Sequence, residues 1–171
     1  MKTRLFFVVL FLFATVAFAA DAKKTDLQYF AGDWRCTGIG FASPMGPEHA
    51  TRATVSGTWI VGKQWLQLLY TEINSKTNPH PIDAAMFVGY DEGLKKFVNG
   101  VLDSMGGYGT SESDGWSGDS LVFTGDMHMG GTTMKGRDTF TKKSARELVH
   151  LGEFQDDKGA WQKTDQETCR K

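Results

Sequence analysis

Residues 51–73 read TRATVSGTWIVGKQWLQLLYTEI, and this stretch decides the fold. In Thr51 to Val61, Ala53, Val55, Gly57 and Trp59 share one face, while Arg52, Thr54, Ser56 and Thr58 share the other. That alternation is the pattern of a half-buried β-strand. Val61-Gly62-Lys63 is a tight reversal, and Gln64 to Ile73 comes back as a second strand. Here both faces are partly apolar, with Trp65 and Leu69 on one and Leu66, Leu68 and Tyr70 on the other.

Working outward in both directions, β-rich runs recur between Gly, Asn, Asp and Pro. They are Trp34 to Phe41, Thr51 to Val61, Gln64 to Ile73, Ala84 to Tyr90, Phe97 to Asp103, Tyr108 to Ser113, Ser120 to Thr124, Thr133 to Thr141, Glu147 to Phe154 and Trp161 to Cys169. Asp91-Glu92-Gly93 and Asp156-Asp157-Lys158-Gly159 turn like Val61-Gly62-Lys63, each placing a glycine where positive φ is expected. Gly130-Gly131 reads as a hairpin tip, and Ser75 to Pro81 as a longer loop. Only Thr25 to Phe30 suggests one or two helical turns. Sequential antiparallel strands must hide their edges, and closure removes them. The expectation is an all-β protein, a closed antiparallel barrel of about ten strands, with the short N-terminal helix plugging one end. A barrel of that girth holds either a ligand cavity or a core packed with large aromatics.

The chain opens differently. Lys2 and Arg4 precede an apolar run from Leu5 to Val16, and Ala17-Phe18-Ala19 supplies small residues for signal peptidase. The run is shorter than the roughly 20 residues that span a bilayer. Residues 1–19 are therefore expected to be a cleaved signal peptide, leaving residues 20–171 as a single domain in the periplasm or outside the cell. With 19 basic against 20 acidic side chains over 171 residues, bulk charge excludes a nucleic-acid binder. No stable membrane insertion is expected after cleavage. An oxidising compartment favours a bridge between Cys36 and Cys169, which lie at opposite ends of the mature chain and would make its first and last strands neighbours.

Several segments in order resemble one family. They are Phe30-Ala31-Gly32-Asp33-Trp34, Gly57-Thr58-Trp59-Ile60-Val61-Gly62, Phe87-Val88-Gly89-Tyr90-Asp91, Asp103-Ser104-Met105-Gly106 and Leu121-Val122-Phe123-Thr124-Gly125-Asp126. Together they are similar to the bacterial DUF1579 family over essentially the whole mature chain. That resemblance implies a calycin-like or lipocalin-like barrel, related in shape to fatty-acid-binding proteins, and carries no established activity. Gly32-Asp33-Trp34 with Gly38-Ile39-Gly40 also resembles the opening of nitrobindin-type haem barrels, although Arg35-Cys36-Thr37 shifts the glycines. That second resemblance implies His150 as the haem ligand, against its reading as an ordinary hydrogen-bonded strand residue.

Other chemistry is thinly supplied. Met127, His128 and Met129 offer soft sulfur and imidazole ligands of the kind that suit Cu(I), although methionine is also a flexible core filler. Ser104 lacks the preceding glycine of a nucleophile elbow, and no Cys-x-x-Cys or His-x-x-x-His spacing suggests zinc. Neither a catalytic residue nor a cofactor is expected. The function expected is binding of a small, largely apolar molecule inside the barrel, walled by Trp59, Trp65, Tyr70, Phe87, Phe97 and Met105, with Asp103 or His150 orienting it. The alternatives are a non-catalytic structural or interaction module of the envelope, and an enzyme acting on a hydrophobic small molecule.

Overall fold

The computed structural model describes residues 23, 25–43, 46–76, 78 and 80–171. The expected signal peptide over residues 1–19 lies outside them. Eleven strands follow in order: β1 (Gly32–Gly40), β2 (His49–Ile60), β3 (Trp65–Glu72), β4 (Asp83–Asp91), β5 (Lys96–Asp103), β6 (Tyr108–Ser113), β7 (Trp116–Ser117), β8 (Ser120–Met129), β9 (Thr132–Ser144), β10 (Glu147–Gln155) and β11 (Trp161–Arg170). Every pairing is antiparallel, running β6-β5-β4-β3-β2-β1-β11-β10-β9-β8, and β8 pairs back onto β6. Ten strands thus close into a barrel without a free edge. The two-residue β7 attaches only to the start of β8, and a pair so short leaves no alternation to read in the sequence.

The ring closes between β1 and β11, where Cys36 sits opposite Cys169 and the two are disulfide-bonded. The expected strand Ser120 to Thr124 proves too short. It runs on through Gly125 and Asp126 to Met129, because β6 and β9 hydrogen-bond it on both sides and the ladder overrides local propensity. The Asp91 turn also differs from expectation. Asp91 Oδ1 accepts from the N–H groups of Gly93 and Leu94 at 2.7 and 2.9 Å, and the left-handed residue is Lys95 (φ 56°) rather than Gly93.

Helical turns at residues 25–28 plug one end of the barrel. The buried Leu27 and Phe30 point into it, joining Trp34, Leu66, Leu68, Val88, Phe97, Leu121, Phe123 and Leu148 around the disulfide. Three indoles bind the plug: Trp34 Nε1 donates to the Phe30 carbonyl, Trp59 Nε1 to Gln28 Oε1, and Trp116 Nε1 to the Asp26 carbonyl, at 3.0, 2.8 and 3.1 Å. Gly57 makes room for the plug, since a Cβ there would collide with the Phe30 carbonyl. At this end the barrel is filled. The enclosed void among Leu27, Phe30, Leu68, Met86, Val88, Phe123 and Phe140 measures about 10 Å³, no more than one water needs.

Candidate functional site

Beyond the apolar layer the inner face changes character. Strand parity places Asp165, Glu167 and Cys169 on one face of β11, and the bridge directs that face inward. Leu148 and His150 face inward from β10, and Asp138 and Phe140 from β9, where His150 pairs with Phe140. Tyr70 and Glu72 do the same on β3, and Thr51 on β2. A layer of ionisable groups therefore lies directly above the core.

His150 is its centre. Its Nε2 is 3.0 Å from Asp138 Oδ1, and its Nδ1 is 3.0 Å from Asp165 Oδ2. Its ring stacks on Phe140 at 4.8 Å between centroids. Burial pulls the imidazole toward neutrality, yet the Asp165 charge and the contacts with both carboxylates outweigh it and hold His150 well above its ordinary value. For Asp165 burial works in the opposite sense, and the His150 charge overcomes it to keep the carboxyl below its usual range. Glu167 is 3% exposed, and burial, reinforced by Asp165, pushes its carboxyl up. The Tyr70 hydroxyl donates to Glu167 Oε1 at 3.1 Å, and burial beside three carboxylates holds the phenol above its usual value. The mouth side adds Glu72, whose Oε2 accepts from the Ile82 N–H at 3.0 Å and whose Oε1 lies 4.0 Å from His49 Nε2.

Chemically, this is an imidazolium clamped between aspartates, next to a carboxyl that holds its proton more tightly than usual. About a fifth of the His150 side chain and a third of Asp165 reach solvent, so the cluster faces an accessible mouth. One ligand atom from each of His150, Asp165 and Glu167 lies within 4.8 Å of the others. Such an imidazole and two carboxylates suit a divalent first-row cation, bound at the expense of the His150 proton. The same geometry bears on haem: an axial bond from His150 would require it to give up one aspartate.

Of the residues expected to form the site, the structure brings only Tyr70 and His150 into this cluster. Trp59 clamps the plug, and Phe97, fully buried, packs edge-on against Tyr90. Trp65 and Phe87 project from the outside of β3 and β4, opposite to the inward Leu66, Leu68 and Val88. Asp103 staples the loop after β5, its Oδ1 accepting from the N–H groups of Met105 and Gly107 at 2.8 and 2.9 Å, and Met105 is exposed there. Met127 and Met129 lie on the opposite face of β8 from His128, which stacks on Tyr108 and contacts Thr133 Oγ1 at 2.8 Å. Those three side chains do not converge. Asp138, Asp165, Glu167 and Thr51 escaped the sequence reading, although Asp165 and Glu167 stand four and two residues before Cys169, on the face a buried bridge must direct inward.

Taken together, the fold and its inner layer define a closed antiparallel barrel with an apolar, plugged end and a charged mouth. The chain belongs to the family described as "Protein of unknown function (DUF1579)", whose model matches residues 20–171. It is also similar to the crystal structure of Rv2717c from M. tuberculosis, with a TM-score of 0.62 and 12% identity, over 85% of this chain and 96% of that one. That likeness extends to the fold alone. Among curated proteins no relative matches. No described helix is long and apolar enough to cross a membrane.

Proposed function

We propose that this protein is an exported binding barrel that takes a small, largely apolar molecule by its polar end at the charged mouth. The observation that carries the reading is the cluster of Tyr70, His150 and Asp165, each half-buried, around the buried Glu167. Burying ionisable groups is costly, and equally well-packed apolar residues would stabilise the barrel as well or better. Such a cluster, with His150 and Asp165 still reached by solvent, supports a binding or reacting site. Its hydrogen-bonding capacity selects a ligand with a basic or hydroxyl-bearing head. Because the plugged end is full, the apolar body of the ligand lies toward the mouth.

Native mass spectrometry of protein purified from its own compartment, followed by denaturing extraction and an absorbance scan, tests this. The expected result is a co-purifying small molecule whose occupancy falls about tenfold in Tyr70→Phe and Glu167→Gln. Wild-type protein that is empty and captures nothing from extract would overturn the reading in favour of an interaction module. For that alternative, Leu69, Leu102 and Tyr108, each 44–55% exposed outside the barrel, would supply the surface.

A further inference from the structure

A recess lies on the outer face of the barrel, and of its strands only β3 and β9 also carry the charged layer. It is a groove of about 620 Å³ across the outer face of β3, β4, β5, β6, β8 and β9, within the range of small-molecule sites. One row of its lining follows from register: Phe87 stands beside Gly100, then Thr110, Asp126 and Lys135. The neighbouring row runs from Trp65 past Gly89 to Val98, Glu112 and Thr124. Gly100 lies on the floor, and Gly89 lies beneath Trp65. A Cβ on Gly89 would meet the Trp65 ring, so the indole lies flat on that backbone, whereas a Cβ on Gly100 would enter open space.

We infer that this groove is a binding site for neutral saccharides, with Trp65 and Phe87 as the stacking wall and the hydroxyl and carboxylate side chains of Thr110, Thr124 and Asp126 as the hydrogen-bonding wall. The two walls differ in chemistry. An indole backed by Gly89 offers its free face to the C–H face of a sugar ring, while the facing wall offers donors and acceptors to the ring hydroxyls. The charges across the groove are already matched. Lys135 Nζ contacts Asp126 Oδ1 at 2.6 Å, and Lys96 Nζ contacts Glu112 Oε2 at 3.0 Å. An ionic ligand would have to break those pairs, whereas a neutral polyol shares the carboxylate lone pairs they leave open. A purely apolar ligand would cover Thr110, Thr124 and Asp126 without satisfying them, at a cost in affinity. The groove and the charged mouth lie on opposite faces of the sheet, so the two sites stand or fall separately.

The test is an amide NMR titration of the purified protein with three trisaccharides: maltotriose, cellotriose and chitotriose. At least one should shift the amides of residues 98–100, 110–112 and 124–126, and Trp65→Ala should weaken that sugar by about tenfold or more. Gly100→Val is the decisive variant, because its Cβ enters open groove on a strand that favours β-branched residues. It should keep the wild-type melting temperature and lose the shifts. Absence of shifts with all three sugars, or shifts that persist in Gly100→Val, would overturn the proposal.

Discussion

His150 has a carboxylate at each ring nitrogen, Asp138 at 3.0 Å and Asp165 at 3.0 Å, and this makes it a measurable charge switch. Its native-state value lies well above 6.5, since the aspartates outweigh burial. The stability it contributes is therefore complete below about pH 6.5 and is lost as pH rises through the raised native value. Asp165, held low, contributes in the opposite direction: its share is present above the ordinary carboxylate range and is lost on acidification. Denaturant melts across pH 6 to 10 should show wild type losing stability on the alkaline side, a slope that His150→Gln should lack. An imidazole carbon signal that titrates near its unperturbed position would contradict the clamp. At neutral pH, His150→Gln should cost roughly 2 kcal/mol, below the value for a fully buried pair because both aspartates keep about a third of their surface in water.

The hairpin between β2 and β3 shows what an element tolerates. Val61, Gly62 and Lys63 all have positive φ, at 46°, 63° and 61°, and for the β-branched Val61 that conformation is strained. Val61 is also 71% exposed, so its side chain returns little packing. Val61→Asn should stabilise the protein by about 1 kcal/mol and raise the melting temperature by roughly 2–4 °C, as read by calorimetry; an unchanged or lower value would mean the turn is not strained. The turn itself was legible from Gly62. The facing of β3 was not, because Trp65 and Leu69 are as apolar as Leu66 and Leu68. The plug settles it: Leu27 and Phe30 cover the Leu68 side, leaving Trp65 outside over Gly89. The charged layer was hidden for a related reason, since the acids of β11 are polar residues on a strand whose inner face is read by expecting apolar ones.

At the scale of the molecule, closure is the governing feature. The bridge joins β1 to β11 across 133 residues, and in the chain-entropy model a loop of that length is worth about 5 kcal/mol. Replacing Cys36 and Cys169 together by alanine should lower the melting temperature by roughly 10 °C or more. Intact mass should show both thiols protected from alkylation until a reductant is added, and thiols free in the unreduced protein would remove the bridge. By itself the sequence determined the β class, the antiparallel order and the pairing of first strand with last. Those depend on local alternation, on turn residues and on two cysteines. The tertiary structure alone decided which apolar face lies inside, and it gathered Tyr70, Asp138, His150, Asp165 and Glu167 into one layer. The consecutive strands β9, β10 and β11 supply most of that layer, and the distant β3 supplies Tyr70. A period of two tells which residues share a face, but only closure of the ring and seating of the plug tell which face meets which.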